Sequence, residues 1–191
     1  MNASETRPGP SLKLSLTILF VVIASVLVIL LLRNGRDSTT PTTKQIQVGF
    51  PAPNFIFPDL KGQQISLSDQ RGKVVLVNIW ATWCPPCKQE MPSMQKLYEK
   101  FKGENFEILA VSIDSTGRDA VAPFTRTMNL TFPVLLDPNE DIGSLYGITG
   151  VPESFIIDKE GIVVEKIIGP IDWATPKVFQ FFQDLINKPK S

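Results

Sequence analysis

Cys84 and Cys87 are the only cysteines in a chain of 191 residues, and they sit two residues apart in Trp83-Cys84-Pro85-Pro86-Cys87. The apolar run Val74-Val75-Leu76-Val77-Asn78-Ile79-Trp80 ends just before them, and a helically periodic stretch follows. A Cys-x-x-Cys at such a junction brings two sulfurs within bonding reach. It also places the first at the positive end of a helix dipole, where a thiolate is stabilised. That arrangement makes and breaks disulfides. Cys84, at the helix start and expected to be the more exposed, is the attacking thiol; Cys87, one turn inward, resolves the mixed disulfide. Pro85 and Pro86 carry no N–H and stiffen the backbone between the sulfurs.

Other chemistries fit the composition poorly. There is no histidine and no third cysteine, so a metal site lacks its further ligands and neither metal nor cofactor is expected. A purely structural disulfide would close so short a loop that it stabilises little. Lysine plus arginine equals aspartate plus glutamate, 19 each, which gives no electrostatic footprint for nucleic acid. Two side chains beside the pair have open roles. Trp83 either shields one side of the disulfide or is a partly buried core aromatic. Glu90 lies three residues after Cys87, on the same helix face. It is either a solvated glutamate or a carboxylate that raises the thiol pKa values and shuttles a proton.

The elements that must hold these residues alternate between strand and helix. Segments 54–57 and 64–67 flank Leu60-Lys61-Gly62, a hairpin turn. Val74–Trp80 is a central strand buried on both faces. Met91, Met94, Leu97, Tyr98 and Phe101 share one face of the next helix, with Pro92 inside it. A strand over 106–113, a helix over 120–128, a short apolar segment 132–136 and a short helix over Asp141–Tyr146 follow. Segments 154–157 and 162–168 bracket Asp158-Lys159-Glu160-Gly161, a second hairpin. A last helix, capped by Thr175 and opened by Pro176, turns Val178, Phe179, Phe182, Leu185 and Ile186 inward. The pattern predicts one α/β domain over 48–188 with a mixed sheet.

Ahead of that domain, residues 14–32 carry no charge and are nearly all aliphatic, long enough for one transmembrane helix. Arg33-Asn34-Gly35-Arg36 follows directly in place of a small-residue cleavage site, so the run reads as an uncleaved anchor and not as a cleaved signal. Residues 1–13 form a short cytoplasmic segment and 33–47 a Ser/Thr-rich tether. Arg7 and Lys13 before the span nearly balance Arg33 and Arg36 after it, so charge alone does not orient the span.

Three separated motifs carry a family resemblance: 75–87 around the cysteines, Gly49-x-x-Ala52-Pro53-x-Phe55 upstream, and 146–158 with Val151-Pro152-Glu153 downstream. In their order and spacing they resemble the membrane-tethered thioredoxin-like proteins of the TlpA, ResA and CcmG type. The resemblance implies a thioredoxin-like fold with an N-terminal β-hairpin and a central insertion, over 115–138. It implies a cis peptide at Val151–Pro152 opposite the disulfide, presenting backbone to an extended client. Thioredoxins carry a buried aspartate at the position of Asn78; ResA-like relatives carry a glutamate at that of Glu90, which favours the proton-shuttle role, with Glu153 a second, weaker candidate. It also implies a single-pass membrane protein whose domain lies on the extracytoplasmic face. Such proteins reduce specific protein disulfides, apocytochrome c among them, and are recharged by a membrane donor of the CcdA or DsbD type. Two rival activities use the same cysteines, a thiol oxidant or isomerase and a peroxiredoxin-like peroxidase. The peroxidatic Pro-x-x-x-Thr-x-x pattern is absent, since Val77 and Ala81 occupy those places.

Overall fold

The computed structural model describes residues 21–29 and 46–189. The chain divides into two compact units, Met1–Thr42 and Thr43–Ser191. In the first, residues 21–29 are helical; the rest of the expected anchor 14–32, the segment 1–13 and most of the tether lie outside the described residues. Among the described residues no helix is long and apolar enough to cross a membrane.

The second unit is a thioredoxin-like α/β fold. A small hairpin comes first, β1 (Ile56–Pro58) antiparallel to β2 (Gln64–Ser66). Asp59 builds its turn: the Oδ1 atom accepts the N–H groups of Lys61 and Gln63, and Gly62 takes the positive φ that closes it. The strand begins two residues later than the apolar pattern predicts. Asn54 turns its side-chain oxygen onto Ser66 Oγ and the Ser68 N–H, which ties the entry to the hairpin exit.

Five strands form the main sheet: β3 (Val74–Trp80), β4 (Phe106–Ser112), β5 (Val134–Leu136), β6 (Glu153–Ile157) and β7 (Val163–Ile168), in the order β5-β4-β3-β6-β7. β3 is parallel to β4 and antiparallel to β6, and β4 is parallel to β5, so the sheet is mixed. Every residue of β3 is buried, which is why its pattern is a continuous apolar run and not an alternation. The β6–β7 turn uses Asp158 Oδ1 to accept the Glu160 and Ile162 N–H groups.

Four helices complete the domain: α1 (Pro85–Phe101), α2 (Arg118–Thr127), α3 (Asp141–Tyr146) and α4 (Pro176–Asn187). α1 runs uninterrupted through Pro92 and buries Met91, Met94, Leu97 and Phe101. The segment 115–138 supplies α2 and the edge strand β5. α4 starts as expected, with Thr175 Oγ1 accepting the Val178 N–H and Pro176 at the first helical position. The parallel pair β3–β4 ends on one side of the sheet, at Trp80 and Ser112, and the cysteines follow directly from that end.

Candidate active site

Cys84 is the N-cap of α1, and its sulfur is bonded to that of Cys87. Prolines fill the next two positions and offer no N–H, so the first free amide of the helix is that of Cys87. It donates to Cys84 Sγ at 3.2 Å. A sulfur thus stands where a Ser or Asp oxygen usually caps a helix, and it receives both an N–H and the positive end of a 17-residue helix. Both favour negative charge on Cys84 once the disulfide is reduced.

Cys84 is the more exposed of the two cysteines, as expected, but only at 3% against 0% for Cys87. Part of the cover is the loop before β6. The Val151–Pro152 peptide is cis, and the Val151 carbonyl oxygen lies 3.6 Å from Cys84 Sγ. Trp83 is 60% exposed, so its reading as a partly buried core aromatic is set aside.

Glu90 is 2% exposed and is not a solvated surface residue. Its Oε1 accepts Asn78 Nδ2 at 2.9 Å and its Oε2 accepts Trp173 Nε1 at 3.0 Å. Asn78 donates its second amide proton to Ser154 Oγ, also at 2.9 Å, across the β3–β6 pairing. One buried polar line therefore joins β6, β3, α1 and the segment before α4. Burial pushes the Glu90 carboxyl above its ordinary value near 4.5; hydrogen bonds from Trp173, Asn78 and the Ile171 backbone pull part of the way back. A carboxyl so placed, one turn after Cys87, can hold or release a proton nearer neutral pH than a solvated one.

Glu153 is fully buried at the start of β6. Its Oε1 accepts both the backbone N–H and the hydroxyl of Thr149, at 2.8 and 2.9 Å. Its Oε2 pairs with Lys166 Nζ at 3.0 Å, close in distance but not aligned as a hydrogen bond. Among the described residues no hydrogen bond joins Glu153 to either cysteine.

Residues 48–166 match the model of the AhpC/TSA family. The chain belongs to that family. Within it, the chain is 47% identical over 126 residues to the thiol-disulfide oxidoreductase ResA of Bacillus thuringiensis (strain Al Hakam), covering 66% of this chain and 72% of that one. It is 40% identical over 144 residues to ResA of Bacillus subtilis (strain 168), covering 75% and 78%. Similar solved structures include a putative thiol:disulfide interchange protein DsbE from Chlorobium tepidum, at 32% identity and TM-score 0.64 over 74% of this chain and 96% of that one. Another is StoA from Bacillus subtilis, at 26% identity and TM-score 0.58 over 69% and 96%. This AhpC/TSA chain is a thiol–disulfide oxidoreductase of the ResA-like group.

Of the residues singled out in the sequence, the fold bonds Cys84 to Cys87 and sets the Val151 carbonyl against Cys84, with Pro152 following Val151 through the cis peptide and Glu90 one helical turn after Cys87. Trp83 stands exposed beside the pair, and Glu153 faces Thr149 and Lys166. Sequence reasoning missed Trp173, Ser154 and Asp114. Asn78 was visible as a lone amide in an apolar strand, the one signal of a buried polar line. Trp173 gave none: it lies 83 residues from Glu90 and reads as an ordinary core aromatic.

Proposed function

We propose that this oxidoreductase works as a membrane-tethered, extracytoplasmic reductase of protein disulfides. The Cys84 thiolate attacks one sulfur of a client disulfide, forming a mixed disulfide and releasing a client thiolate. The Cys87 thiolate then attacks Cys84 Sγ, closing the Cys84–Cys87 disulfide and releasing the second client thiolate. The client gains two electrons and two protons, and the protons come from the two enzyme thiols. Glu90 takes the proton of Cys87 as it becomes a nucleophile. Trp83 and the Val151–Pro152 backbone form the face that the client meets.

The observation that carries the reducing direction is the buried Glu90, a turn after Cys87 and held by Asn78 and Trp173. A carboxylate there opposes thiolate charge and so limits the thiolate stabilisation that the helix start gives the reduced pair. A strong oxidant has the opposite character, a stabilised reduced form. The resemblance adds apocytochrome c as the client class, a donor of the CcdA or DsbD type, and the anchor at 14–32.

Trapping tests the reading. A Cys87→Ser variant leaves the mixed disulfide unresolved, so the client stays on Cys84 and can be identified. Equilibration with glutathione supplies the direction: a potential as oxidising as about −120 mV, the range of strong periplasmic oxidants, would replace the reductase by an oxidant. Peroxide turnover lost in Cys84→Ser would replace it by a peroxidase.

A further inference from the structure

Two buried carboxylates flank the disulfide without touching it, and each grips one threonine in the same way. Asp114, just past the end of β4, accepts the Thr82 N–H on Oδ2 at 2.9 Å and the Thr82 hydroxyl on Oδ1 at 2.5 Å. Its Oδ2 also accepts the Ser112 hydroxyl at 2.7 Å. Glu153 accepts the N–H and hydroxyl of Thr149 and pairs with Lys166. Thr82 lies two residues before Cys84, and Thr149 two residues before Val151. The two gripped segments meet where Val151 O stands 3.6 Å from Cys84 Sγ.

We propose that Asp114 and Glu153 are positioning residues, a pair of threonine–carboxylate clamps that set the nucleophile loop and the cis-proline loop against each other for disulfide exchange. Both carboxylates are out of water, at 3% and 0% exposure, a location costly for a charge that has no assigned partners. Their partners are specific. Asp137, also buried, shows the plain structural use of such a group: from the loop just before α3 it accepts the Asp141 and Ile142 N–H groups that open that helix. Asp114 instead reaches 32 residues back along the chain to the loop that carries the nucleophile. Glu153 holds the residue before Gly150-Val151-Pro152, a segment free to pair with a client only while its own backbone stays fixed. Lys166, on β7, supplies the positive charge opposite the second Glu153 oxygen.

The clamps act on different parts of the reaction, and that separates them from general stabilisation. A small disulfide needs Cys84 alone; an extended client also needs the loop at 149–152. In the reduced full-length protein, Asp114→Ala therefore slows reaction with hydroxyethyl disulfide and with a peptide carrying a Cys-x-x-Cys disulfide alike, by roughly tenfold to a hundredfold, the usual consequence of a small misplacement of a reacting group. Glu153→Ala, which removes the oxygen that accepts both Thr149 bonds, slows the peptide reaction by about tenfold more than the small-disulfide reaction, on the same positioning argument. Thr149→Val, which removes one hydroxyl bond, slows the peptide reaction in the native background and adds nothing in the Glu153→Ala background, where that bond's acceptor is already gone. Rates are taken per folded molecule. Should Asp114→Ala not fold, Thr82→Val carries the same comparison with the backbone N–H bond intact. Equal losses on both substrates for the Glu153 variant, additive effects of Thr149→Val, or wild-type rates throughout would each overturn the clamps. The inference rests on exchange at Cys84, not on its direction. If the protein proves an oxidant, the reduced enzyme reduces neither disulfide, and the same split is read in reverse, from the oxidised enzyme reacting with mercaptoethanol and with the peptide dithiol.

Discussion

The two ends of α1 are built on opposite principles. At its last turn Phe101 packs edge-on against Phe106 and Phe179, at centroid distances of 5.7 and 6.2 Å, and Phe106 meets Phe182 at 5.3 Å. The parallel pair β3 and β4 begins at this end, where Val74 pairs with Phe106. At the first turns of the same helix polar groups are buried among the apolar ones: Asn78, Glu90 and Ser154, with Ser112, Asp114 and Glu153 at the same end of the sheet. Apolar burial is non-directional and stabilises in proportion to area. Buried polar groups stabilise little net, but they demand particular partners at particular distances. The aromatic end therefore holds the fold, and the polar end fixes where sulfurs, carboxyl and client loop stand.

The strongest way to break this division is to remove chemistry without touching stability. Cys84→Ser abolishes disulfide exchange to the level of the uncatalysed control, while the thermal midpoint of the reduced protein stays close to that of the reduced wild type. The two side chains are nearly the same size, and the serine hydroxyl can take the same N-cap position. A large loss of reduced-state stability would mean that the sulfur end also carries the fold.

The converse experiment is next in size. Phe101→Ala removes the ring shared by three aromatic contacts and destabilises by about 3–5 kcal/mol, the range for truncating a buried aromatic. Denaturant unfolding measures it. The exchange rate per folded molecule at low denaturant should match the wild type. A rate that fell with stability would show the two ends coupled along α1.

The two ends also differ in how far the sequence discloses them. The apolar end is written in local periodicity: Met91, Met94, Leu97 and Phe101 recur at helical spacing, and β3 is an unbroken apolar run. Such patterns state which face is buried without naming the partner, and for a core that is enough. The thiol pair was legible because its chemistry is local, two sulfurs and a helix start within four residues. Glu90 was legible as to its face but not its burial. Its partners come from β3 and from residue 173, and only the closed fold brings them together. Asp114 and Glu153 were harder still. A lone carboxylate near a strand end carries no mark that its oxygens will be spent on a threonine.

The smallest effect tests the polar end alone. Glu90→Gln keeps size and shape and removes the ionisable group. Gln Oε1 can retain the Trp173 bond, and its amide can donate to Asn78 Oδ1, which has no partner in the native arrangement, once the Asn78 amide turns over. In the wild type, burial raises the carboxyl above its ordinary value near 4.5 in the folded state. The folded state thus holds this proton more tightly than the unfolded chain does. Its contribution to stability is complete below the unfolded value and is lost as pH rises through the folded one. The Gln variant has no such proton to lose, so its stability relative to wild type should climb from acid toward neutral pH and level off once Glu90 is ionised in both states. Urea midpoints for the two proteins across that range measure it. Parallel curves would mean that Glu90 titrates as a solvated carboxylate despite its burial, and the proton-transfer role assigned to it would fall with them.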